Sequence, residues 1–214
     1  MELDMKKLLI IGAGGFGREV LGYALEIEKD KRDWEVYGFI DDNLNALNHY
    51  QCNFKIIDTI KDHIVQKDEV FICAIGDPKI KLKICREYKE RGAIFTNIIH
   101  PTAIIGASSV YRQGLIMAPY SMMTENVKIG EFNTINSYSS YGHDAIAEDG
   151  CTLSSHCDVT GFVHLEEGVF VGSSVSIIPG VRIGKYSRIG LGSVVIKNVP
   201  ENVTVFGNPA KIIA

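Results

Sequence analysis

No stretch of this 214-residue sequence is apolar for the ~20 residues needed to cross a bilayer. The opening MELDMKKLLIIGAGG lacks the apolar core and small-residue cleavage site of a secretory signal. A cytosolic protein is the expectation. The five cysteines, Cys52, Cys73, Cys85, Cys151 and Cys157, contain no C-x-x-C pair, and an odd, scattered set fits reduced thiols rather than a disulfide framework. Metal-binding spacing is missing too: His143, His156 and His164 are 13 and 8 apart, so no metal is expected. The formal charge of −4 speaks against a nucleic-acid partner. From Val169 onward, however, five basic residues (Arg182, Lys185, Arg188, Lys197, Lys211) face one acid, Glu201. That basic end suits either a small polyanion or an ordinary solvated face.

What is present falls into two organisations. Residues 1–100 alternate apolar runs with helical patterns. Strands are expected at Lys7–Ile11, Glu35–Ile40, Glu69–Ile75 and Ala93–Ile99, with helices at Gly17–Glu28, Pro78–Arg91 and, briefly, Thr59–Val65. This is half of a doubly wound α/β fold. Gly12-Ala13-Gly14-Gly15-Phe16-Gly17 matches G-x-G-x-x-G between a strand and a helix, and Asp41 and Asp42 end the next strand. Gly12, Gly14, Gly15 and Gly17 would let the backbone approach a phosphate at the helix N-terminus, and a carboxylate of the acidic pair would hold ribose hydroxyls or a base. The four strands leave no room for the second half of a dinucleotide site. A single nucleotide diphosphate, as in a nucleotide-linked sugar, is the better match, and an NAD oxidoreductase is disfavoured. Gly76-Asp77-Pro78 either lines the same crevice or simply starts a helix.

Residues 101–214 keep a period of six, which belongs to neither helix nor ordinary strand. Every sixth residue from Ile105 to Val195 is apolar or aromatic, and the next residue is often glycine (Gly106, Gly130, Gly142, Gly172, Gly184, Gly190). The expected structure is a solenoid whose short strands each send one large side chain inward, with those glycines admitting the tight turns. Period alone gives no handedness.

Units such as IGKYSR and IGLGSV, and the closing VFGNPAKII, resemble the hexapeptide-repeat acyltransferases over residues 98–214. That resemblance implies an all-β left-handed parallel β-helix of three hexapeptides per coil, acetyl-CoA as co-substrate bound between β-helices, and a homotrimer. The short GxGGxGRE-type domain joined to the segment Asn136-Ser137-Tyr138-Ser139-Ser140-Tyr141-Gly142-His143-Asp144 extends the likeness to nearly the whole chain. Together they resemble the bacterial sialic acid O-acetyltransferases and nucleotide-aminosugar N-acetyltransferases of surface-glycan synthesis.

The resemblance implies His143 as general base and Asp144 as its support. An amine must lose a proton as it attacks a thioester, and an imidazole titrates near neutral pH. Neighbouring strand residues point to opposite faces, so the pair can meet only at a corner. Gly161, one coil beyond the histidine, matches the family's oxyanion donor, and Asn136 the asparagine implicated in sugar contact. Gly190, Lys197, Pro209 and Lys211 are placed for acetyl-CoA, with packing an equal alternative for each. One departure stands out: where many members carry a second histidine near the thioester, this chain has Thr152, with His156 where those members have a glycine. The expected activity is N-acetylation of a UDP- or dTDP-linked 4-amino-4,6-dideoxy sugar. O-acetylation of a sialic acid, acylation of an amino acid such as serine, and a non-catalytic nucleotide-sugar-binding protein are the alternatives.

Overall fold

The computed structural model describes residues 5–214. Strands β1 (Lys6–Ile11), β2 (Trp34–Ile40), β3 (Ile56–Asp58) and β4 (Glu69–Cys73) form a parallel sheet in the order β3-β2-β1-β4. Central β1 is buried on both faces from Leu8 to Ile11, which is why LLII reads as an unbroken apolar run rather than an alternation. Leu8 and Ile10 pack with Val20, Leu21 and Ala24 of α1 (Gly15–Glu26), whereas Leu9 and Ile11 pack with Leu82, Cys85 and Tyr88 of α2 (Pro78–Glu90).

Two expectations for this half are corrected. Thr59–Val65 is a turn rather than a helix: its one bond of helical type, His63 N to Thr59 O at 3.2 Å, is not continued, and side chains hold its first N–H groups. Asp42 accepts from Ile60 N at 2.9 Å, Asp58 from Thr59 N at 2.7 Å, and Thr59 Oγ1 from Asp62 N at 3.1 Å. Ala93–Ile99 is not one strand. Phe95 makes a single parallel bridge to Phe71, and Ile98–Ile99 already pairs with Ile116–Met117 of the solenoid.

The solenoid has three parallel faces built from two-residue strands. The first face runs from Ile98–Ile99 through Thr134–Ile135 and Thr152–Leu153 to Thr204–Phe206, closed by antiparallel Lys211–Ile212. The second contains Ser140–Tyr141 and Asp158–Val159, and the third Lys128–Ile129 and His164–Leu165. Partners lie 18 residues apart, as Thr134 with Thr152 and Tyr141 with Val159 do. Every inward position from Met117 to Val195 is buried. Tyr111, in the lowest coil with nothing beneath it, is 39% exposed.

The glycines that follow the inward positions are not the turn-makers. Left-handed φ recurs every sixth residue from Gly114 to Gly192, three places beyond each inward side chain, and is borne by residues such as Tyr120, Asp144 and Phe162. Gly142 and Gly172 are needed for another reason. A Cβ on either would stand 2.7 Å from the backbone of the next coil. The period was visible in the sequence; close approach between coils, rather than dihedral freedom, explains the glycine.

The two halves are joined by a continuous interior. Ile98 and Ile116 complete the α1 side of the N-terminal core, and Phe132 and Tyr186 border the α2 side. Lys81 of α2, 1% exposed, donates to Thr152 Oγ1 (2.9 Å), Thr134 Oγ1 (3.2 Å) and Cys151 O (3.3 Å). Burial without a carboxylate partner brings its ammonium down to about 8. Around it, Arg86 pairs with Glu167, Lys89 with Glu131 and Arg188 with Asp77.

Candidate active site

The glycine loop follows β1 and opens α1. Gly12 has φ +100°, and a Cβ on Gly17 would collide with the carbonyl of Gly12, so both are explained by the protein's own packing. Gly14 and Gly15 are not. A Cβ on Gly14 would meet nothing within 4 Å, and the nearest atom to one on Gly15 is Arg18 Nη2 at 4.0 Å. Their bare backbone leaves space for something from outside. Helix α1 has no acidic residue in its first turn and no side-chain cap, so its leading N–H groups and the positive end of its dipole face that space. Beside it stands Arg18, whose guanidinium lies 3.5 Å from the ring centroid of Tyr50. Nothing in the motif pointed to Tyr50.

Asp41 and Asp42 both bond the chain's own backbone. Asp41 accepts from Ala13 N (2.7 Å) and Asn43 N (2.8 Å), fixing the glycine loop to the end of β2, and Asp42 holds the 60–61 turn. Asp77 caps α2 by accepting from Lys79 N and Ile80 N, and also pairs with Arg188 at 3.2 Å.

His143 and Asp144 sit in the turn between the second and third faces. Asp144 has φ +60°, which brings two consecutive side chains to the same side, and its Oδ2 lies 2.9 Å from His143 Nδ1. Nδ1–H donating to the carboxylate leaves Nε2 as the acceptor. The His143 side chain is 61% exposed, with Phe162 edge-on to it at 5.1 Å. Gly161 lies directly above, so close that a Cβ there would stand 2.7 Å from His143 Nε2 and Cε1. Among the described residues the Gly161 N–H donates to no backbone acceptor, whereas its carbonyl accepts from Gly180 N.

Eighteen-residue register continues this column through Pro179 to Lys197, whose side chain is exposed. At ~4.8 Å per coil, Lys197 stands about 14 Å above His143. Asn136 is one face away, in the turn before the second face, and its Nδ2 donates to Leu153 O at 3.0 Å. Gly190 lies on that same edge, where a side chain would run into Phe206. Pro209 and Lys211 are exposed near the end of the chain. Thr152 is buried under α2 by Lys81, away from the His143 corner of its own chain, and His156 lies flat on Tyr138 at 5.0 Å.

The basic end is largely neutralised, which the count from Val169 onward concealed. Arg182 pairs with Glu166, Lys185 with Glu167 and Arg188 with Asp77, all acids from earlier in the chain. Burial would raise the Glu167 carboxyl, but hydrogen bonds from Tyr186, Lys185 and Arg86 override it and hold it at about 2. Lys197 and Lys211 form no ion pair among the described residues. No group of three His, Cys, Asp or Glu side chains converges as a metal set among those residues, and no helix is long and apolar enough to cross a membrane.

A parallel solenoid of six-residue units, with an exposed histidine and an unengaged backbone N–H on one corner, defines the hexapeptide-repeat acyltransferase class. Residues 7–88 match the family model described as the PglD N-terminal domain. Over 211 residues, 94% of each chain, the sequence is 30% identical to the GDP-perosamine N-acetyltransferase of Escherichia coli O157:H7. In structure it is similar to the acetyltransferase domain of PglB from Neisseria gonorrhoeae FA1090 in complex with acetyl coenzyme A, with TM-score 0.88, 23% identity, and 98% of this chain and 100% of that one covered. It is also similar to PerB from Caulobacter crescentus in complex with CoA and GDP-perosamine, with TM-score 0.86, 24% identity and both chains covered fully. At those identities the structural likenesses show the shared fold. The chain belongs to the hexapeptide-repeat nucleotide-aminosugar N-acetyltransferases.

Proposed function

We propose that this protein transfers the acetyl group of acetyl-CoA to the amine of a nucleotide-linked 4-amino-4,6-dideoxy sugar. Residues 1–100 hold the nucleotide and residues 101–214 carry out the transfer. The observation that carries this reading is the His143–Asp144 pair at a solenoid corner with the Gly161 N–H beside it. As the amine attacks the thioester carbonyl, His143 Nε2 takes its proton, Asp144 steadies the resulting imidazolium, and the Gly161 N–H donates to the oxygen on which charge develops. The thiolate of CoA leaves with the electron pair of the broken C–S bond.

Gly14 and Gly15 support a diphosphate at the N-terminus of α1, because nothing in the protein's own packing requires glycine there. Exposed Lys197, in the His143 column, and Lys211 supply positive charge for the phosphates of CoA. GDP is the nucleotide favoured by the likeness to the E. coli enzyme over 94% of the chain, and UDP and dTDP complete the set to be tried. The His143 side chain, 61% exposed at an open corner, supports a homotrimer in which a second copy closes the site. The test is release of free CoA thiol from acetyl-CoA with GDP-, UDP- and dTDP-linked amino sugars and with sialic acid. Turnover confined to a nucleotide amino sugar upholds the reading, and turnover confined to sialic acid replaces it with O-acetylation.

A further inference from the structure

The two halves of the chain meet where α2 lies on the first face of the solenoid. Leu82 makes the apolar part of that contact: its side chain occupies the space that a Cβ on Gly150 would need, in the turn between the third and first faces. Apolar contact has no direction, and by itself it leaves a helix free to slide or turn. The adjacent residue, Lys81, is different in kind. All three N–H groups of its buried ammonium are used, with Thr152 Oγ1, Thr134 Oγ1 and Cys151 O accepting at 2.9, 3.2 and 3.3 Å. Thr134 and Thr152 are register partners on successive coils, so one side chain ties α2 to two coils at once. Three bonds from one tetrahedral centre fix both where the helix sits and how it is turned. The ion pairs around the contact hold geometry far more weakly, since Arg86, Lys89 and Arg188 are each at least 40% exposed.

Stability does not account for such a group. Desolvating an ammonium is costly, and buried ionic side chains replaced by well-packed apolar ones commonly leave stability unchanged or raised. What Lys81 adds is orientation, and α2 begins at the edge of the nucleotide crevice. Lys81 N donates to Asp77 O, one turn earlier, at 2.9 Å, and residues 74–76 before it border the glycine loop. Ala74 N donates to Ile11 O at 2.8 Å, and Ala74 O lies 3.1 Å from where a Cβ on Gly12 would stand. A slide or turn of α2 on the solenoid therefore carries the glycine loop with it. His143 and Gly161, packed against each other on the solenoid corner, stay behind.

We propose that Lys81 is a positioning residue for acetyl transfer: its three bonds set the angle at which the nucleotide-holding half stands on the solenoid, and so place the acceptor amine relative to the His143 corner. This rests on the reading of the chain as a nucleotide-aminosugar acetyltransferase. The diphosphate is held by one half and acetyl-CoA by the other, so neither affinity depends on the angle. The alignment of amine and thioester does depend on it, and a misplacement of about 1 Å originating far from the chemistry can lower a rate about 10²-fold.

The test compares wild type with Lys81→Met and with Lys81→Met/Thr134→Val/Thr152→Val, in which the hydroxyls left without a donor are removed as well. Both are expected to melt no lower than wild type at pH 7. Calorimetric affinities for acetyl-CoA and for whichever of GDP, UDP and dTDP binds stay unchanged, while kcat with the corresponding 4-amino-4,6-dideoxyhexose nucleotide falls about 10–100-fold. Deuterium uptake is expected to rise in residues 74–90 and to stay unchanged in the solenoid. An unchanged kcat in either variant overturns the positioning role. So does a kcat loss accompanied by a lower melting temperature or by loss of both affinities, which is what a merely structural lysine gives. If wild type releases no CoA with any of the three sugar nucleotides, the transferase reading falls and deuterium uptake decides the rest. A rise confined to residues 74–90 upholds Lys81 as the tie that orients the two halves, and uptake equal to wild type overturns it.

Discussion

The His143 ring fills the space that a side chain on Gly161 would need, with a Cβ there only 2.7 Å from Nε2 and Cε1. Gly161→Ala must therefore displace the imidazole, or the turn beneath it, by a substantial fraction of an ångström. The substitution is expected to lower kcat by about 10–100-fold, the scale of a misplaced catalytic group, with the KM for acetyl-CoA little changed. Steady-state kinetics check it. An unchanged kcat would separate Gly161 from the reacting centre.

Asp144 holds the Nδ1 side of His143 from a left-handed backbone position that asparagine tolerates better than most residues. Asp144→Asn therefore keeps the turn and removes the charge. The expected result is a fall in kcat of about tenfold or more at neutral pH with an unaltered melting temperature. A fall in melting temperature with normal kcat would instead assign the pair to stability.

Glu167 and Lys81 join the two halves and act on stability with opposite signs. The Glu167 carboxyl, side chain 17% exposed, is held at about 2 against an ordinary 4.5, so its contribution is complete above pH 4.5 and is lost as pH falls toward 2. A shift of that size corresponds to roughly 3 kcal/mol. Denaturation midpoints of Glu167→Gln are expected to be lower at pH 7 and to converge on wild type near pH 2.

Lys81 is held down to about 8 against 10.5, so the unfolded chain binds the extra proton between those values and stability rises through that window. Lys81→Met should lack this rise. Identical midpoint-versus-pH curves for Lys81→Met and wild type between pH 8 and 10 would refute the shift.

Much of this molecule is written in its sequence because its two halves obey simple periods. The six-residue spacing placed the inward column correctly from Met117 to Val195, and the strand–glycine–helix pattern placed the loop at Gly12–Gly17. Handedness came from the family likeness rather than from the period. Less legible was anything decided by contacts between distant segments. The strand-end position of Asp41 and Asp42 is legible, but not their bonds to Ala13 N and Ile60 N, which join segments far apart in the chain. The apparent excess of positive charge after Val169 ignored Glu166, Glu167 and Asp77, which the fold brings alongside. Lys81 gave no signal, since its helix position reads as solvent-facing until the solenoid is packed against it.

Tyr141 shows a cost the period hides. It fills an inward position, fully buried, and its hydroxyl finds no partner among the described residues. Tyr141→Phe removes the unpaired group while keeping the ring, and is expected to raise stability by about 1–3 kcal/mol in chemical denaturation. A loss of stability would mean that the hydroxyl is bonded.

The central assignment is His143 as the base for acetyl transfer to a nucleotide amino sugar, and the most direct measurement is CoA thiol release by wild type and His143→Ala. With one of the GDP-, UDP- or dTDP-linked 4-amino-4,6-dideoxy sugars, wild type is expected to turn over and His143→Ala to lose about 10²–10⁴-fold in kcat, with acetyl-CoA affinity retained. Equal turnover by both proteins, or none by wild type with any nucleotide amino sugar, would contradict it.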